Sequence, residues 1–115
     1  MSSTNAASRA YAAASANRTV RQQESDVFRL TIARLQAARR DGPLAEVRAL
    51  ADNRRLWMTV SDLMRDSENG LPAELRASII SVGLAVQREM DRDNPDYDFL
   101  ISVNKNIADG LAAAS

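Results

Sequence analysis

The sequence predicts an all-α protein, a small bundle of about five helices, and three observations carry that expectation. Apolar residues recur at three- and four-residue spacings, as on one face of a helix. Alanine is abundant and aromatic residues make up only 4% of the chain, a balance that favours helices over sheets. Breaker clusters, Asp41-Gly42-Pro43, Glu68-Asn69-Gly70 and Asn94-Pro95, fall between the periodic runs and divide them. At 115 residues the chain suits one domain, 1–115, able to bury roughly two-thirds of its unfolded surface.

Residues 1–17 have good helix propensity from Ala6 on, but after Met1 their only large apolar side chain is Tyr11, and alanine gives helix without much burial. They read as a short Ala-rich helix docked through Tyr11, a segment ordered by a partner, or a flexible tail. Asn17 or Thr19 caps a second helix running to about Arg40. Its broad face carries Val20, Val27, Phe28, Thr31, Leu35 and Ala38, widened by Leu30 and Ile32, with Glu24 near the N-terminus where the helix dipole tolerates a carboxylate. Gly42 ends that helix and Pro43 suits the first turn of the next.

The third helix, Leu44 to Arg65, holds the stretch Asn53-Arg54-Arg55-Leu56-Trp57 with the only tryptophan. Leu50, Trp57 and Met64 are seven apart, and Val47, Val60 and Leu63 complete an expected apolar stripe. Asn53 aims an amide into that stripe, Arg55 points away and Arg54 lies on the flank. Trp57 reads as core or as the anchor of a binding surface. In the fourth helix, with Pro72 at its first position, Leu75, Ile79, Val82, Val86 and Met90 form the main stripe. Ile80 and Leu84 sit nearly opposite, either under a covering helix or free for a partner protein. Gly83 between the stripes would let another backbone come close. Asp96 caps a fifth helix, Tyr97 to Ala112, whose narrow stripe is Leu100, Asn104, Ile107 and Leu111. Two amides on apolar faces need partners, so Asn53 and Asn104 are expected to bond to each other or to cap exposed backbone, fixing the register of the third helix against the fifth.

The chain has no cysteine and no histidine, which removes disulfides, thiolate nucleophiles, most zinc sites and the commonest general base. No phosphate loop, zinc-protease helix or nucleophile elbow is present, so no catalytic residue, metal ligand or cofactor is assigned. The carboxylates Asp91, Asp93, Asp96 and Asp98 lack the glycine and closing glutamate of a calcium loop and read as a solvated turn. Fifteen basic residues balance fifteen acidic ones, leaving no global field for nucleic acid or an anionic membrane. The basic pairs Arg39-Arg40 and Arg54-Arg55 have acidic neighbours and read as ion-pairing or protein-contacting residues before phosphate ligands. No membrane span or standard signal is seen, and a cytoplasmic location is expected.

Three blocks in this order and spacing, Asn53-Arg54-Arg55-Leu56-Trp57, Gly70-Leu71-Pro72-Ala73-Glu74-Leu75-Arg76-Ala77-Ser78-Ile79-Ile80-Ser81-Val82 and Val103-Asn104-Lys105-Asn106-Ile107-Ala108-Asp109-Gly110-Leu111, give the chain a family likeness. With Ala10-Tyr11 and the Arg21/Glu24 region upstream, it resembles the FlaF family of flagellar biosynthesis regulators over essentially its whole length. The segment Asn17-Arg18-Thr19-Val20 departs from the proline-containing start expected there. The resemblance implies a non-enzymatic cytoplasmic factor that binds flagellin and promotes its synthesis and export, alongside an opposing regulator of the FlbT type.

Flagellin's terminal helical segments are the expected partner, with Tyr11, Arg54, Arg55, Ile80 and Leu84 as candidate contacts. Asn53, Leu56, Trp57, Leu75, Ile79, Asn104 and Leu111 are expected to be structural. Two other readings stand beside this one. The first is an RNA-binding regulator of flagellin expression using Arg39, Arg40, Arg54 and Arg55; the second is a homodimeric structural module packed through Ile80 and Leu84.

Overall fold

The computed structural model describes residues 26–114. Among them are four helices and no strand: α1 over 26–41, α2 Pro43–Arg65, α3 Ala73–Met90 and α4 Tyr97–Ala114. These correspond to the second to fifth helices expected from the sequence. The short N-terminal helix and Tyr11 lie outside the described residues, as do Val20, Arg21 and Glu24.

Local chemistry sets each boundary. Gly42 adopts a φ of 97°, a region that strains residues bearing a Cβ, so the chain reverses within one residue and re-enters a helix at Pro43. The last carbonyls of α2 are satisfied from the following turn and from α3: Asn69 Nδ2 donates to Leu63 O at 2.8 Å and the Arg76 guanidinium of α3 donates to Met64 O at 3.3 Å. Pro72 stands just before α3 as its N-cap and not inside it, a shift of one residue from the expectation. Asp96 caps α4 as expected, accepting from the Phe99 amide at 3.1 Å.

Ion pairs and hydrogen bonds order the helices in space. Arg34 to Asp52 ties α1 to α2 at 2.7 Å, and Arg54 to Asp91 ties α2 to the end of α3 at 3.0 Å. α4 is reached by Arg39 of α1, which pairs with Asp98 at 3.6 Å and lies over the Tyr97 ring, and by side chains of α2 described below. α2 therefore runs between α1 and α3, and α4 covers one face of that layer.

The core follows from this arrangement. Phe28, Leu35 and Ala38 of α1, Ala49, Leu56, Trp57, Val60 and Met64 of α2, Ile79, Val86 and Met90 of α3, and Tyr97 and Leu100 of α4 form one buried cluster. Leu50, Ile80, Val82, Ile107 and Leu111 pack against it half-buried. Several expected core residues are instead exposed: Val27, Leu30, Val47, Leu63 and Leu75. The buried faces are narrower than the stripes the sequence predicts. On α2, the apolar residues packed in the core lie within about 60° of Asn53 around the helix, whereas Leu63 is about 80° away and Val47 about 120°. Leu75 sits in the first turn of α3, where fewer neighbours surround it.

Candidate functional site

Two features stand apart from ordinary core packing: a buried polar chain on the inner face of α2, and an open apolar face on its outside. In the first, Asn104 Nδ2 donates to Asn53 Oδ1 at 2.7 Å, so the pairing expected between these amides is present. Trp57 Nε1 donates to Asn104 Oδ1 at 2.8 Å, and Asn53 Nδ2 donates to the Met90 thioether at 3.2 Å. Trp57, Asn53 and Asn104 are each 0% exposed. The chain links α4, α2 and α3, and among the described residues no buried side-chain nitrogen or oxygen lacks a partner. Nothing in it is left to bind a ligand. It fixes register, because an axial slip of α4 would strand three polar groups in an apolar interior.

Gly83 completes this region. A Cβ there would lie 3.1 Å from Trp57 Cε3 and 3.2 Å from Ser61 Oγ, so the glycine admits the indole where the sequence pointed to a backbone. Trp57 is thereby a core residue and not a surface anchor.

The outer face is the opposite side of the same helix. Leu44, Val47, Ala51, Arg55 and Met58 follow one another along α2 away from Asn53, with Val47 65% and Met58 55% exposed. Leu30 on the flanking edge of α1 and Leu84 on that of α3 are each 51% exposed. The ridge of Val47 and Met58 thus stands between a groove toward α1, lined in part by Ala37, Leu44 and Ala51, and the exposed Leu84 edge of α3. Such a face, spread over three helices, is more than the scattered single apolar residues normal on a protein surface. Its α2 residues form a second stripe, of which the sequence pattern places Val47 with the core.

Of the candidate contacts, Leu84 and Arg55 are exposed on or beside this face, while Ile80 is half-buried against the core and offers only an edge. Arg54 is drawn off to Asp91, and Tyr11 lies outside the described residues. Arg55 shares Asp52 with Arg34. Arg39, Arg54 and Arg55 thus each meet a carboxylate within the fold. Among the described residues no cluster of three or more His, Cys, Asp or Glu side chains is placed to hold a metal, and no helix is long and apolar enough to cross a membrane.

The model of the flagellar protein FlaF family matches residues 7–111. The chain belongs to the FlaF family. That match spans both the polar chain and the outer face, so both are parts of a FlaF domain and not additions to it. No similar curated protein and no similar solved structure is found.

Proposed function

We propose that this FlaF-family protein is a non-enzymatic cytoplasmic factor that binds the terminal helical segments of flagellin and promotes flagellin synthesis and export, in interplay with a regulator of the FlbT type. The observation that carries the reading is the open apolar face of a chain in a flagellar family: among the described residues no buried side-chain nitrogen or oxygen lacks a partner, yet Val47, Met58 and Leu84 stand in solvent on the outer side of α2 and α3. An exposed apolar face carried by two neighbouring helices accepts the apolar face of a third, anchored at three- and four-residue spacing. Arg55 on the ridge and the edge of Ile80 border the same surface.

Titration against flagellin with and without its terminal segments tests the partner. Binding should require those segments, and equal binding without them refutes the reading. Leu84→Asp and Met58→Asp test the surface, and each should weaken binding about tenfold or more while leaving the helical signal unchanged. An RNA target has less support, since Arg39, Arg54 and Arg55 already meet carboxylates.

A further inference from the structure

The outer face also carries a reactive group. Met58, Met64 and Met90 are the methionines of the described residues, and they stand in contrasting surroundings. Met64 and Met90 are each 4% exposed, and the Met90 sulfur also accepts a hydrogen bond from Asn53 Nδ2 at 3.2 Å. Met58 is 55% exposed on the α2 ridge that it forms with Val47. The chain has no cysteine and its tryptophan is fully buried, so a peroxide finds no thiol and no open indole to compete with that thioether.

We propose that Met58 is a site of oxidation by peroxides and that its sulfoxide closes the outer face to an apolar helix. This regulation rests on the flagellin reading for its partner. In the step, a lone pair of the thioether sulfur attacks one oxygen of hydrogen peroxide. An S–O bond forms, the O–O bond breaks and hydroxide leaves, taking the proton of the transferred oxygen to become water. Sulfur loses two electrons and the peroxide gains them. At Met90 the same attack is hindered twice, by burial and by the Asn53 N–H bonded to the sulfur.

The product is polar where the thioether was apolar. Its oxygen is satisfied by water on the open face, but a helix laid on the ridge would strip that water away. The nearby donors on α2 are already engaged: Arg54 by Asp91 at 3.0 Å, Arg55 by Asp52 at 3.6 Å, and Thr59 Oγ1 by the Arg55 carbonyl at 3.1 Å. Asp62, four residues on, offers only acceptors. Oxidation therefore weakens capture while the core, whose two sulfurs are shielded, keeps its packing.

The full chain is treated with hydrogen peroxide, which is removed before flagellin is added. Tandem mass spectrometry should show sulfoxide forming at Met58 about tenfold faster than at Met64 or Met90. Affinity for flagellin should then fall about tenfold or more, as for one buried acceptor left without a donor, with the helical circular dichroism unchanged. Methionine sulfoxide reductases with dithiothreitol return the thioether and should restore binding. Met58→Leu keeps the apolar volume, so it should bind within about twofold of the native chain and stay indifferent to peroxide, whatever happens at Met1. Equal oxidation rates at Met58, Met64 and Met90 overturn the proposal. So does undiminished binding with Met58 fully oxidised, or a Met58→Leu chain that loses flagellin after peroxide as the native chain does; both leave the flagellin reading standing. A native chain that fails to bind flagellin before peroxide refutes that reading, and the switch with it.

Discussion

Asn104 shows how one side chain ties two helices, α4 and α2. It donates to Asn53 and accepts from Trp57, all three fully buried. Asn104→Leu keeps the volume but strands the Trp57 N–H and the Asn53 carbonyl oxygen, and urea unfolding should show a loss of roughly 2–4 kcal/mol. Asn53→Leu combined with Asn104→Leu should cost less than the two single losses summed, because the second change removes a group stranded by the first; strict additivity would show that the amides do not act as a pair. The amide pairing was legible in the sequence because both residues lie mid-stripe and a buried amide needs a partner. The indole and thioether links were not, since they depend on where Trp57 and Met90 come to rest once four helices have packed. Tyr97 is a second case. Burial raises its phenol above the ordinary 10.0, Glu46 adds to the rise, and Arg39 offsets part of it. Below that value both folded and unfolded states keep the proton. As pH climbs from the ordinary value through the raised one, the unfolded chain releases its proton first, so stability is lost across that window. In a Tyr11→Phe background, the tyrosinate absorbance of the folded protein should have its midpoint above 10.0, and a midpoint at or below it refutes the assignment.

Helix boundaries were the most readable elements, and faces the least. Gly42-Pro43, Asn69 and Asp96 act through local dihedrals and caps, which neighbouring residues decide, so the ends fell within a residue or two of expectation. Which side of a helix is buried depends on its neighbours. Val47 and Leu63 continue an apolar pattern by sequence, but the helices around α2 contact an arc too narrow to include them. Two glycines make the same point in opposite directions. Gly110 lies inside α4 with nothing within 4 Å of a built Cβ, so Gly110→Ala should gain roughly 0.5–1 kcal/mol from helix propensity alone. Gly83→Ala collects the same gain but presses on Trp57, which its bond to Asn104 and complete burial hold in place. Overpacking of that kind costs about 1–3 kcal/mol, so the net effect should be a loss of roughly 1 kcal/mol. Thermal unfolding of the two variants should move in opposite directions, and a stabilised Gly83→Ala would mean the indole can yield.

At the scale of the molecule, an all-α bundle and the family were both legible, because composition, breaker spacing and three ordered motif blocks are properties of the chain itself. The open face was not. It exists because α4 lies on the side of α2 that carries Asn53 and Trp57, leaving the ridge of Val47 and Met58 uncovered, and no local pattern states which side a later helix will choose. That asymmetry separates the modes of recognition by their response to salt. Were Arg39, Arg40, Arg54 and Arg55 to grip four phosphates, raising salt from about 50 to 200 mM would weaken binding on the order of a hundredfold. Three of those arginines first have to leave Asp98, Asp91 and Asp52, whereas the apolar ridge has no ionic partner to exchange. Capture of a flagellin helix on that ridge should therefore change by less than about threefold over the same range, since screening acts on charges and not on buried apolar area. A steep salt slope in a flagellin titration would move the contact from the Val47–Met58–Leu84 face to the arginines.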